Sequence, residues 1–258
     1  MNKNYDSTPS FFTNQETFEK YLGQTSYYRI LQDAMKKLCL FIKPNTIIEL
    51  GTATGSTAIA LAKCCVDSIV VGIDMRKDVI DIAKSLAKEE GLTNVEFDVS
   101  DFCEYSGYKD ADFIAMLYSF HHIEDPVEKK EMFLDMLKKE TKKGTYLCIG
   151  ETFLPKSYND MCKDEIVDMW RVRANEGKYS TFWASLDNVS KEQISKSMDI
   201  ADFCMQHESI AGNEVVERKT EFLVSSQELI EMAKKTGWEV VLSYPCNTVG
   251  EEIVLLRN

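Results

Sequence analysis

Histidine is scarce in this chain, three residues in 258, and its eight cysteines form no Cys-x-x-Cys pair. A structural zinc site needs Cys and His at short, fixed spacings, so none is expected. The adjacent pair His121 and His122 does not supply the i, i+4 spacing by which two histidines of one helix share an ion, and we expect no metal. Positive charge is also in deficit: 30 Lys and Arg face 42 Asp and Glu, a formal net charge of −12. Binding to nucleic acid through counterion release requires clustered cations, so no nucleic-acid partner is expected. No apolar run reaches membrane-spanning length, and Met1-Asn2-Lys3-Asn4-Tyr5-Asp6 opens no stretch of signal-peptide length. Cys39 and Cys148 sit inside apolar runs and read as small buried hydrophobes, which fits a reducing cytoplasm.

What is present is an alternation of strands and helices. From Phe18 to Phe41 apolar residues recur at near-helical spacing until Lys43-Pro44-Asn45 breaks the pattern, which predicts one or two leading helices within residues 1–45. Thr46-Ile47-Ile48-Glu49-Leu50 is a short β-rich run ending in a Gly-containing loop, and Thr57 to Cys65 resumes with helical character. Further strands are predicted at Ser68–Asp74, Asn94–Val99, Ala111–Leu117 and Thr145–Gly150, with helices at Asp78–Glu90 and Val127–Lys139. Such alternation implies right-handed βαβ units that lay helices on both faces of a doubly wound, mostly parallel sheet. Residues 156–220, by contrast, are rich in charge, Met and aromatics and contain no apolar strand. We read them as a helical insertion, with one helix over Asn159–Arg173 and a capping box of Ser190 and Gln193 opening another toward His207. The α/β pattern returns with a helix at Ser226–Lys235 and closing strands at Trp238–Leu242 and Glu252–Leu256. One α/β domain over 46–258, carrying this insertion, is the resulting expectation.

The loop Glu49-Leu50-Gly51-Thr52-Ala53-Thr54-Gly55 carries the first chemistry. A Gly-rich turn between strand and helix brings backbone N–H groups and a helix amino terminus close to a ligand. A dinucleotide fold would want Gly-x-Gly-x-x-Gly, and here Ala53 holds the middle position and Ser56 follows Gly55, which weakens a nicotinamide oxidoreductase reading.

This segment resembles the first motif of the class I S-adenosylmethionine-dependent methyltransferases, a hydrophobic strand followed by Glu/Asp-x-Gly-x-Gly-x-Gly, except at Ala53. That extra methyl is expected to be tolerated with Ala53 at negative φ. Three further marks follow in order. Asp74 ends the second strand, where the resemblance implies a carboxylate accepting both ribose hydroxyls, with Met75 near the adenine. Asp101 follows the third strand, implied to partner the adenine amino group with Phe102 beside it. Asp112 to Pro126 is similar to the family's apolar strand, His-His and Asp-Pro segment, and places the Leu117 backbone at the cofactor. The resemblance therefore implies a Rossmann-like sheet with an antiparallel last strand, and S-adenosyl-L-methionine held by Glu49, Gly51, Thr52, Ala53, Gly55, Asp74, Met75, Asp101, Phe102 and Leu117.

The same resemblance makes the leading helices and the insertion a lid over a small-molecule methyl acceptor, in a monomer or homodimer. His122, Tyr28 and Glu151 are expected beside that acceptor, His121 is expected to hold the loop, and Tyr27, Arg29, Trp170, Arg171, Arg173, Tyr179, Phe182 and Trp183 are the candidates for the lid. A non-catalytic module that senses the cofactor or binds a protein is the alternative from another class.

Overall fold

The computed structural model describes residues 26–176, 188–197, 216–219 and 221–258. Among these, helix α1 (Ser26–Ile42) leads into β1 (Thr46–Leu50), α2 (Ser56–Cys64), β2 (Ile69–Asp74), α3 (Lys77–Glu89) and β3 (Val95–Val99). Then come β4 (Phe113–Leu117), α4 (Glu128–Glu140), β5 (Tyr146–Thr152), α5 (Lys163–Glu176), α6 (Asn188–Ser197), α7 (Ser226–Lys235), β6 (Glu239–Pro245) and β7 (Glu251–Arg257). The strands form one seven-stranded sheet in the order β3-β2-β1-β4-β5-β7-β6. Every pairing is parallel except those of β7, which runs antiparallel to both β5 and β6. The expected Rossmann-like sheet with an antiparallel last strand is the fold observed.

Two apolar layers cover this sheet. On one face α1, α2 and α3 bury Leu31, Met35, Cys39, Ala58, Leu61, Ile80 and Ala83 against Ile47, Ala115, Leu117 and Cys148. On the other, α4 and α7 bury Phe133, Leu134, Leu137, Leu229 and Met232 against Ile48, Ile114, Met116 and Ile149. Alternate residues of β4 thus go to opposite layers, so this central strand is apolar throughout and has no solvent face. Helix α1 belongs to the first layer, which means that the leading segment completes the sheet's own core.

Local chemistry sets the ends of these elements. Helix α7 begins with a capping box in which Glu228 N–H donates to the Ser225 hydroxyl at 3.2 Å and Ser225 N–H to the Glu228 carboxylate at 2.8 Å, worth about 1 kcal/mol. The insertion differs in detail from expectation. Its first helix starts at Lys163, after a short 3₁₀ turn at Tyr158–Asp160, and the second starts at Asn188, so Ser190 lies inside the helix and does not cap it. The continuation toward His207, the segment before Ser26, and the lid candidates Tyr179, Phe182 and Trp183 lie outside the described residues. No helix among the described residues is long and apolar enough to cross a membrane.

Candidate active site at the carboxyl edge of the sheet

Parallel strands β1 to β4 end on one edge, and the loops that leave them meet there. The loop after β1 folds over the end of β2: Gly51 N–H and Thr52 N–H both donate to the Ile73 carbonyl at 2.9 Å. Gly51 (φ 73°) and Gly55 (φ 82°) adopt left-handed backbone, and a Cβ on Gly51 would lie 2.6 Å from that of Ser119. Neither position accepts a larger residue without displacing its neighbour. Ala53 is also left-handed, at φ 47°, and corrects the expectation of negative φ. The tight return between Thr52 and Gly55, closed by Gly55 N–H donating to the Thr52 carbonyl at 2.8 Å, imposes this conformation whether or not the residue is glycine.

Glu49 lies beneath the loop, 3% exposed, where it accepts from the Thr52 hydroxyl. Burial pushes its carboxyl up to about 7, against the lowering effect of Thr52, the Ala58 N–H and Thr57. Its contacts shape the loop from below, and Thr52 and Thr54 are buried with it while Gly51 and Ala53 stay half-buried on the outer side.

Asp74 closes the other side of this concavity. One carboxylate oxygen accepts from Ala53 N–H at 3.0 Å and the other from Arg76 N–H at 2.9 Å. Each oxygen keeps a lone pair, and the residue is half-buried, so the two acceptors fit a ligand that donates two neighbouring hydroxyls. Burial raises its pKa, opposed by the same two N–H groups. Asp101 follows β3 on the same edge, its side chain accepting from Cys103 N–H at 2.8 Å, and Met75, next to Asp74 in sequence, is exposed. Phe102 packs edge-to-face on Phe133 with centroids 5.3 Å apart, which leaves it partly in the core. Leu117 is core, its successor Tyr118 donating N–H to the Gly150 carbonyl at 2.9 Å. Glu49, Gly51, Ala53, Gly55, Asp74, Asp101 and Leu117 thus lie along one edge of the sheet.

The acceptor-side candidates separate. Tyr28 is buried, its hydroxyl 2.7 Å from that of Thr57 and its ring stacked on Tyr118 at 6.0 Å. Glu151 is 2% exposed and points at the turn after β4, not into open space. It accepts from Phe120 N–H at 3.0 Å and meets His121 Nδ1 at 2.9 Å. The opposite nitrogen, His121 Nε2, lies 3.0 Å from Glu221. Burial by itself pushes His121 down, but the charges of Glu151 and then Glu221 overcome it and hold the imidazole at about 9. His121 therefore holds the loop, as expected, and His122 alone of the three acceptor-side candidates is exposed.

Three groups here escaped the sequence. Lys130 is fully buried, its ammonium donating to the Ile123 carbonyl and 5.3 Å from the Phe120 ring centroid, and burial pushes it down to about 8. Glu221 reaches His121 because Phe222 N–H donates to the His121 carbonyl at 3.0 Å. Glu251, at 0% exposure, accepts from Arg173 at 2.5 Å, Thr152 at 3.0 Å and Tyr118 at 3.3 Å. All three belong to unremarkable charged stretches: the packing of α4 buries Lys130, the return of residues 221–224 brings in Glu221, and β5–β7 pairing brings in Glu251. Of the other lid candidates, Arg173 lies 5.0 Å from the centroids of Tyr27 and Trp170, and Arg171 is exposed and pairs with Asp168 at 3.2 Å.

The sequence pattern described as "Methyltransferase domain" matches residues 43–237. The chain is 34% identical over 100 residues to 2-heptyl-1-hydroxyquinolin-4(1H)-one methyltransferase of Mycobacteroides abscessus, 38% of this chain and 42% of that protein. It is 26% identical over 171 residues to carboxy-S-adenosyl-L-methionine synthase of Campylobacter jejuni, 65% of this chain and 70% of that protein. The chain spans 42%, 20% and 60% of the lengths of the first three relatives it matches. In three dimensions it is similar to a SAM-dependent methyltransferase from Aquifex aeolicus, with TM-score 0.53 and 17% identity over 95% of this chain and 94% of that one.

Proposed function

The chain belongs to the methyltransferase-domain family, and from that premise we propose that it is a class I S-adenosylmethionine-dependent methyltransferase whose acceptor is a small molecule seated beside His122 under the helices of the insertion. The observation that carries the cofactor assignment to particular residues is the Asp74 carboxylate, held by Ala53 N–H and Arg76 N–H with a lone pair left on each oxygen. In this reading Asp74 receives the ribose hydroxyls, Asp101 the adenine edge, and the Gly51–Gly55 loop the methionine portion.

Bound S-adenosylmethionine supplies a methyl group on a sulfonium, which an acceptor takes by in-line displacement at carbon. The protein's part is then alignment and exclusion of water. Tyr28, buried, and Tyr118, half-buried and stacked on it, supply an apolar wall, and Arg173, ion-paired with Glu251, ties helix α5 to the sheet edge. His122, exposed on that edge, is the residue of this reading that borders the acceptor. A net charge of −12 supports a small-molecule acceptor over a nucleic acid.

Calorimetric titration with S-adenosylmethionine and its demethylated product, followed by mass-spectrometric screening of small hydroxy, amino and thiol compounds, tests this reading. Methylated small molecules support it; cofactor binding with methylation only of added proteins would remove the small-molecule acceptor. The likeness to a carboxy-S-adenosyl-L-methionine synthase over 65% of the chain favours one second reading, in which the cofactor itself is the molecule altered. A carboxylated cofactor in the same mass spectra would select it.

A further inference from the structure

We propose that His121, His122 and Glu221 form a binding site for one divalent transition-metal cation of the zinc class, at the turn that follows β4. One ligand atom from each residue lies within 4.8 Å of the other two. His121 Nε2 and the Glu221 carboxylate oxygen are 3.0 Å apart, close to the roughly 3.3 Å edge of a tetrahedron with bonds of about 2.0–2.1 Å. Two imidazoles and one carboxylate suit zinc, cobalt or ferrous iron better than the oxygen-seeking magnesium or calcium.

The surroundings of His121 match what a metal-bound histidine requires. Its Nδ1 meets the Glu151 carboxylate at 2.9 Å, so the ring donates there and presents Nε2 as the ligand nitrogen. Glu151 is itself fixed by Phe120 N–H at 3.0 Å, and Phe222 N–H on the His121 carbonyl holds the Glu221 segment in place. Lys130, a buried cation, turns its ammonium to the Ile123 carbonyl. Burial is graded across the set: His121 is buried, Glu221 half-buried and His122 exposed, which leaves the remaining coordination position on the open side, the arrangement of a reactive site and not of a closed structural one.

Adjacent histidines looked unsuited to one ion when judged by helical spacing. The structure places them on a 3₁₀ turn with ring centroids 4.1 Å apart, and the third ligand comes from a segment about a hundred residues away in sequence. An ion here would polarise a coordinated acceptor oxygen or sulfur and ease loss of its proton. That catalytic consequence rests on the acceptor being placed beside His122; the binding of the ion does not.

The test uses untagged full-length protein treated with a chelator and titrated with Co²⁺ at mildly alkaline pH, where the ion has to displace only the proton that His121 Nε2 shares with Glu221. We expect one equivalent to give visible d–d bands without thiolate-to-cobalt charge transfer, and Zn²⁺ to displace it. His122→Ala and Glu221→Gln should each weaken binding about tenfold or more, and Glu151→Gln by about 10- to 100-fold. His122 is exposed, so its variant keeps the fold. No cobalt spectrum, charge-transfer bands from cysteine, or equal affinity in the His122 and Glu221 variants would overturn the site and leave Glu151–His121–Glu221 as a proton-bridged clamp. A separate titration with S-adenosylmethionine reports on the cofactor site independently.

Discussion

Arg173, on helix α5, meets Glu251, at the start of β7, at 2.5 Å, with the two side chains 8% and 0% exposed. The helix of the insertion is thereby tied to the same sheet edge that carries the loop after β1 and the turn after β4. Removing one partner leaves a buried charge, which costs about 3–5 kcal/mol. Arg173→Met should lower unfolding stability by about that amount in a urea titration. Adding Glu251→Gln should return part of the loss, because the two changes share one interaction. A single-variant loss below about 1 kcal/mol would show that the pair is dispensable.

Asp74→Ala removes the carboxylate that receives Ala53 N–H and Arg76 N–H. Hydrogen bonds to a charged group contribute roughly 1.5–3 kcal/mol, so the dissociation constant for S-adenosylmethionine should rise about 10- to 100-fold. Calorimetry that finds the affinity unchanged would move the ribose to another site.

Ala53 sits at φ 47°, a conformation that costs a residue with Cβ about 1–2 kcal/mol. Ala53→Gly should therefore raise the melting temperature by about 2 °C, part of the gain being offset by the greater freedom of glycine in the unfolded chain. A lower melting temperature would mean that the Ala53 methyl makes contacts worth more than the strain.

Glu49 predicts a pH dependence. Its folded value of about 7 lies above the ordinary 4.5, because burial disfavours the charged form. Between those values the folded state binds more protons than the unfolded state, so stability falls as pH rises. The favourable contribution is complete below about 4.5 and gone once pH has passed about 7. Glu49→Gln, which cannot ionise, should give a flatter stability profile between pH 5 and 8 than the parent, measured by denaturant unfolding at each pH. Parallel profiles would assign the slope to other groups.

Much of the fold was legible because its signals are local. Ile47-Ile48 before a Gly loop, Val70-Val71 before Asp74, and the apolar stretch Phe113 to Leu117 each name a buried strand without reference to the rest. Helix α7, expected over Ser226–Lys235, occupies those residues, and its capping box of Ser225 and Glu228 emerges only in the structure. The insertion was less readable: Ser190 and Gln193 have the composition of a capping box, but packing started the helix two residues earlier, at Asn188.

The site divides along the same line. The sequence by itself determined the sheet, the loop from Glu49 to Gly55 and the acids Asp74 and Asp101, because each lies at the end of its own strand and parallel strands end on one edge. Only the tertiary structure decided that Ala53 is left-handed, that the hydroxyls of Tyr28 and Thr57 meet, and that Glu151 is enclosed by the turn holding His121. It alone brought Glu221 to His121 and Glu251 to Arg173. Those contacts join residues some 80 to 100 positions apart, and their charges acquire function through burial, which no stretch of sequence contains.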